Sequence, residues 1–73
     1  MLISLNSVDK VKSFVNKISK FDEEIDLVSG RYVVDAKSLL GIFSLDLSKP
    51  IELETKGITK SKELEDMLKD YCI

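Results

Sequence analysis

Ile25-Asp26-Leu27-Val28-Ser29-Gly30-Arg31-Tyr32-Val33-Val34 holds two short runs of aliphatic, β-branched and aromatic residues around the pair Ser29-Gly30. Such side chains pack well on a pleated surface, and glycine supplies the positive φ that a tight two-residue hairpin turn requires. The stretch therefore reads as an antiparallel hairpin, with strands over Ile25 to Val28 and Arg31 to Val34. Asp22-Glu23-Glu24, just before it, makes an acidic, solvated turn.

Upstream of that turn the apolar residues Val8, Val11, Phe14, Val15 and Ile18 fall at helical spacing, with Lys10, Lys12, Asn16, Lys17 and Lys20 on the other faces. This predicts an amphipathic helix from Ser7 to about Lys20, capped by the side-chain oxygen of Asn6 or Ser7, with lysines late in it that suit the negative end of its dipole. Met1 to Leu5, apolar around Ser4, reads as an opening strand. Downstream, Lys37 to Leu45 carries Leu39, Leu40, Ile42, Phe43 and Leu45, which do not fit one helical stripe. Gly41 in its midst costs about 1 kcal/mol relative to alanine in a helix, which points to a short element or a close approach of another chain or backbone. Pro50 stops any helix, the alternation Ile51-Glu52-Leu53-Glu54 reads as a half-buried strand ended by Gly57, and Leu64, Met67, Leu68 and Tyr71 mark a last helix with Ser61 as its expected N-cap.

The order β-α-β-β-α-β-α predicts an α+β fold: an open-faced two-layer sandwich in which a four-stranded antiparallel sheet carries three helices on one face. The other face should meet water, as the alternation of Glu52 and Glu54 with Ile51 and Leu53 demands. No linker, repeat or low-complexity tract interrupts the chain, so residues 1–73 are expected to form a single domain.

The composition narrows the function classes. With no histidine and one cysteine, Cys72, the chain offers no imidazole base, no Cys/His metal cage and no internal disulfide, so no catalytic residue, metal site or cofactor is assigned and an enzyme is not expected. Eleven basic residues against thirteen acidic ones leave a net charge of −2, which supplies no general field for nucleic acid. An apolar run of the roughly 18 residues a membrane span needs is absent, as is a signal-like leader, and a cytoplasmic location without membrane insertion is expected.

Val34-Asp35-Ala36-Lys37-Ser38-Leu39-Leu40-Gly41-Ile42-Phe43-Ser44-Leu45 resembles the regulatory segment, of the form K-S-I-M-G-V-M-S-L, of the HPr family, the small histidine-containing phosphocarriers of the bacterial phosphoenolpyruvate-dependent sugar phosphotransferase system. Ser19-Lys20-Phe21-Asp22, the glycine hairpin and the order of elements add to the resemblance, which covers roughly 40 residues in sequence and the rest in topology. It implies the HPr-like sandwich. The family's G-I-H-A-R-P motif has no counterpart here: its loop looks deleted, and Ser7, Asp9 and Lys10 fall about where the histidine, arginine and proline stand. A serine hydroxyl without a base is a poor nucleophile, its phosphoester does not pass phosphate on reversibly, and an aspartate in the arginine's place repels phosphate.

The resemblance implies a role for the remaining segment. Ser38 matches the serine that a dedicated kinase phosphorylates in Gram-positive relatives, and Leu40 and Phe43 match the apolar positions that dock onto enzyme I, sugar permease domains or a transcriptional regulator. Ser38 is equally a good helix N-cap, and Leu39, Ile42 and Leu45 are expected in the core. The expected function is that of a non-catalytic HPr-like regulatory or docking partner in the phosphotransferase system or in carbon catabolite control. Its expected partners are phosphotransferase-system enzymes, the serine kinase or a catabolite regulator. The alternative is an HPr scaffold repurposed as an unrelated interaction or self-associating module, and a monomer is expected over a homodimer.

Overall fold

The computed structural model describes residues 1–56 and 62–73, in the order β1 (Leu2–Ile3), α1 (Val8–Ile18), β2 (Glu24–Ser29), β3 (Tyr32–Asp35), α2 (Leu39–Phe43), β4 (Ile51–Lys56) and α3 (Lys62–Leu68). The four strands lie in the order β1-β4-β2-β3, and every neighbouring pair is antiparallel. The α+β class and the four-stranded open sheet expected from the sequence are the ones found. Gly57 as strand end and Ser61 as N-cap lie outside the described residues.

Strand alternation sorts the sheet into two faces. Ile3 faces Ile51 and Leu27 faces both Leu53 and Val34, and this face collects Ile25, Leu27, Ile51 and Leu53 in the core. The helices close over it with Val11, Phe14 and Ile18 from α1, Ile42 from α2, and Leu64 and Leu68 from α3, all in the same buried cluster. Covering one aliphatic side chain of this kind is worth roughly 2 kcal/mol. The opposite face carries Leu2, Glu52, Val28 and Val33 in one row and Glu54, Asp26 and Asp35 in the next.

The hairpin turn falls on Gly30-Arg31, one residue later than the expected Ser29-Gly30, because Ser29 pairs with Tyr32 as the last residue of β2, and it is of the type with glycine first. Gly30 has φ of 60° and no other residue type has a positive φ among the described residues, so Arg31 takes the ordinary negative value. At α1, Ser7 is the N-cap, accepting from the Lys10 amide at 3.1 Å. The helix stops at Ile18, short of Lys20, because Lys20 and Phe21 donate to the carbonyls three residues back and tighten the turn. Val8 departs from the expected buried stripe: at the first helical position it is 53% exposed, and the covered stripe starts at Val11.

β1 is shorter than Met1 to Leu5 because its partner β4 starts at Ile51, opposite Ile3, just after Pro50, while the C-terminal residues cover its outer side. The Ser4 amide donates to the Tyr71 carbonyl at 2.8 Å, the Ile73 amide donates to Leu2 at 3.2 Å, and Ile3 bridges to Cys72. Tyr71 also crosses to α1. Its ring meets Phe14 edge-on at 5.7 Å between centroids, its hydroxyl donates to Ser13 Oγ at 2.8 Å, and Lys17 Nζ stands 5.3 Å from its centroid.

Leu27 lies fully buried between β3 and β4, so Leu27→Ala is expected to lower the unfolding free energy by about 2–5 kcal/mol, read from the denaturant midpoint at unchanged m-value.

Candidate functional site

The segment after β3 is built as a tight ascent onto the helix-covered face. Asp35 Oδ1 accepts from the Lys37 amide at 2.9 Å, the Asp35 carbonyl accepts from the Ser38 amide at 3.0 Å, and Ala36 is buried. Lys37 Nζ donates to the Phe21 carbonyl, tying this ascent to the end of α1. Ser38 then caps α2 from an extended conformation, its Oγ accepting from the Gly41 amide at 3.2 Å.

Gly41 has a local reason. A Cβ there would come within 3.2 Å of Ser38 Oγ and 3.3 Å of Val34 Cβ, so the helix sits directly on its own strand. The close approach expected at this glycine is therefore internal to the chain. With α2 held that near β3 and only five residues long, its side chains divide sharply. Ile42 is fully buried, Leu39 is half-buried against the core and Leu45 just beyond the helix is buried. Leu40 is 83% exposed and Phe43, three residues on, 39% exposed. The helix thus brings Ser38, Leu40 and Phe43 onto one short element, the hydroxyl engaged as a cap and the two apolar side chains turned to solvent.

The other residues singled out by sequence are placed differently. Ser7 is a cap with its oxygen engaged, and Cys72 is an exposed thiol next to β1. Among the described residues no group of histidine, cysteine, aspartate and glutamate side chains could hold a metal ion. No helix of the described residues is long and apolar enough to cross a membrane.

Sequence reasoning did not find a surface groove of about 800 Å³ between the hairpin turn and the α2–β4 loop, bordered by Leu2, Val28, Tyr32, Lys49 and Pro50. Its lining comes from three separate stretches, around Leu2, the hairpin turn and Ser44 to Glu52, and no one of them marks it by itself. It does not include Ser38, Leu40 or Phe43. The loop beside it is locked by Asp46, which accepts from Ser48 Oγ at 2.6 Å and the Ser48 amide at 3.1 Å, with Lys49 Nζ at 4.0 Å. These bonds, the hydroxyl's foremost, hold the Asp46 carboxyl below the usual carboxylate range.

No family model and no curated protein matches the sequence. Solved structures do match. HPr-C-His from Thermoanaerobacter tengcongensis superposes with a TM-score of 0.75 at 28% identity over 96% of this chain and 83% of that one. The phosphocarrier protein HPr of Bacillus anthracis str. Ames gives a TM-score of 0.72 at 25% identity over 94% of this chain and 88% of its own.

The chain has an HPr-like fold. Crh, the catabolite repression containing protein of Bacillus subtilis, has the same fold, with a TM-score of 0.69 at 20% identity over the whole of this chain and 88% of its own, and is described as a dimer with a swapped domain. The HPr-like fold is thus common to a phosphocarrier and a catabolite-repression protein. The present chain differs from a histidine-containing phosphocarrier in holding no histidine at all.

The two roles of α2 separate on substitution. Ser38→Ala removes the cap and is expected to cost about 0.5–2 kcal/mol, whereas Leu40→Asp, at an exposed position, is expected to stay within about 0.5 kcal/mol of wild type in the same denaturant titration. In a carboxylate NMR titration Asp46 is expected to protonate at lower pH than an unperturbed aspartate and to shift upward in Ser48→Ala. Because its folded-state value is the depressed one, the stability it contributes is present at neutral pH and is lost as pH falls through that value.

Proposed function

We propose that this protein is a non-catalytic HPr-like partner in the sugar phosphotransferase system or in carbon catabolite control, docking through Leu40 and Phe43 and regulated at Ser38. The observation that carries the reading is the 83% exposure of Leu40 beside the partly exposed Phe43, on a five-residue helix whose remaining apolar side chains enter the core. An exposed leucine beside a phenylalanine is the kind of anchor that fills a partner's pocket, and it has no part in holding the fold.

Zero histidines mean that no phosphohistidine can form on this chain, so it receives no phosphoryl group in that form and cannot relay one. A phosphate on Ser38 would add about −1.5 to −2 charges within two residues of Leu40. It would also replace a neutral cap oxygen that accepts from Gly41 with an anionic group beside the same amide. Both changes act on the docking pair's immediate surroundings without entering the core. The HPr and Crh structural likeness supports the choice of partners: enzyme I, the serine kinase, a permease domain or the catabolite regulator.

Calorimetric titration of the purified protein against each of these partners from the same source tests the reading. At least one is expected to bind, with affinity reduced roughly tenfold or more by Leu40→Asp at unchanged thermal unfolding and by Phe43→Asp in a chain that still unfolds cooperatively. Binding retained by both variants, or absent for all four partners, overturns it.

A further inference from the structure

The two edges of the sheet are finished differently. Along the β1 edge the C-terminal residues close the strand through Ser4–Tyr71 and Leu2–Ile73 main-chain bonds. At the other edge β3 has a single strand neighbour, β2, among the described residues. The Ala36 amide donates to the Ile25 carbonyl at 2.9 Å, and antiparallel bonds recur at every second residue, so Tyr32 and Val34 also turn their main-chain groups to β2. Val33 turns its N–H and C=O outward. Arg31, Tyr32, Val33 and Asp35 are exposed, Tyr32 to 70% and Val33 to 60%. The strand is short and carries a charge at Asp35, but it has no proline and no lysine and its register to β2 runs without a bulge, so three of the usual guards of a free edge are missing.

We propose that β3 pairs antiparallel with β3 of a second copy across a two-fold axis at Val33, joining two four-stranded sheets into one. The two Val33 residues then exchange their outward N–H···O=C bonds. The proposal is independent of the docking role of α2.

The register follows from complementarity. Pairing must keep helix-covered faces on one side, which leaves centres at Tyr32, Val33, Val34 or Asp35, and a centre at Asp35 sets the two Asp35 carboxylates opposite each other. A centre at Val34 sets Arg31 opposite Lys37 of the partner subunit, two like charges. A centre at Tyr32 sets Asp35 opposite Ser29 of the partner subunit and forms no ion pair. The centre at Val33 alone places Arg31 opposite Asp35 of the partner subunit at both ends, and lays the exposed Tyr32 ring beside Val34 of the partner subunit, an aromatic and β-branched pair. A four-residue strand makes a contact smaller than the standard interface of about 1,600 Å², so the dimer is weak and reversible.

Sedimentation velocity on the full chain, from low micromolar to about 1 mM, reads the result. The wild-type sedimentation coefficient is expected to rise with concentration, less so in high salt. Arg31→Glu and Asp35→Lys are each expected to stay monomeric, and their equimolar mixture to recover the dimer because opposite charges again face each other. Asp35 also accepts from the Lys37 amide, so Val33→Pro, which removes an outward donor without touching a bond to β2, serves as the variant neutral to that turn. A wild-type monomer over the whole range, a dimer that survives Arg31→Glu and Val33→Pro, a mixture that stays monomeric, or a dimer lost instead in Leu40→Asp overturns the proposal.

Discussion

The central pair of strands, β2 against β4, is the constraint on which the rest of the structure hangs. Five residue pairs run from Glu24 opposite Lys56 to Val28 opposite Glu52, and Leu27 meets Leu53 at the middle of the helix-covered face. Every other element is placed with reference to that pair: β3 by a tight turn onto β2, β1 by its pairing to β4, and the helices by the apolar surface that Ile25, Leu27, Ile51 and Leu53 present. A slip of one residue would turn Glu52 and Glu54 into the core and Ile51 and Leu53 to water, so burial enforces the register.

The exposed pair on α2 follows from this geometry. β3 delivers the chain at the edge of the sheet, and the turn through Asp35 to Ser38 sets the helix so close to Val34 that a Cβ at position 41 would crowd Val34 and Ser38. A helix that near its own strand buries the side chains facing the sheet and leaves the others beyond reach of the core. Ile42 is on the first side and Leu40 on the second. The regulatory candidate Ser38 is a structural cap in the same helix, so chemistry at its oxygen and the presentation of Leu40 and Phe43 are physically adjacent events.

Tyr71 plays the corresponding part at the opposite edge. One side chain contacts α1 through Phe14, Ser13 and Lys17, while its carbonyl holds Ser4, so the last residues fasten α1, β1 and the chain end together. That closure leaves β3 as the edge with main-chain groups facing outward, among exposed side chains of both charge signs and an exposed tyrosine.

The sequence by itself determined the order and type of the elements, since period-two and helical spacing report directly which side of each element is apolar. It also marked the hairpin, because Ser29-Gly30 between two β-rich runs is a local signal, and the absence of histidine is a matter of composition. Ser38, Leu40 and Phe43 could be named from one stretch of chain. Tertiary structure decided how deeply each apolar residue is covered: Val8 shares the stripe of Val11 yet stays exposed, and the outer side of β1 is taken by Tyr71 to Ile73, distant in sequence. It alone decided that Gly41 answers to Val34 and that, among the described residues, one sheet edge is closed while the other is open. Coverage and edge closure are sums over contacts between remote segments, and spacing within a segment carries no record of them.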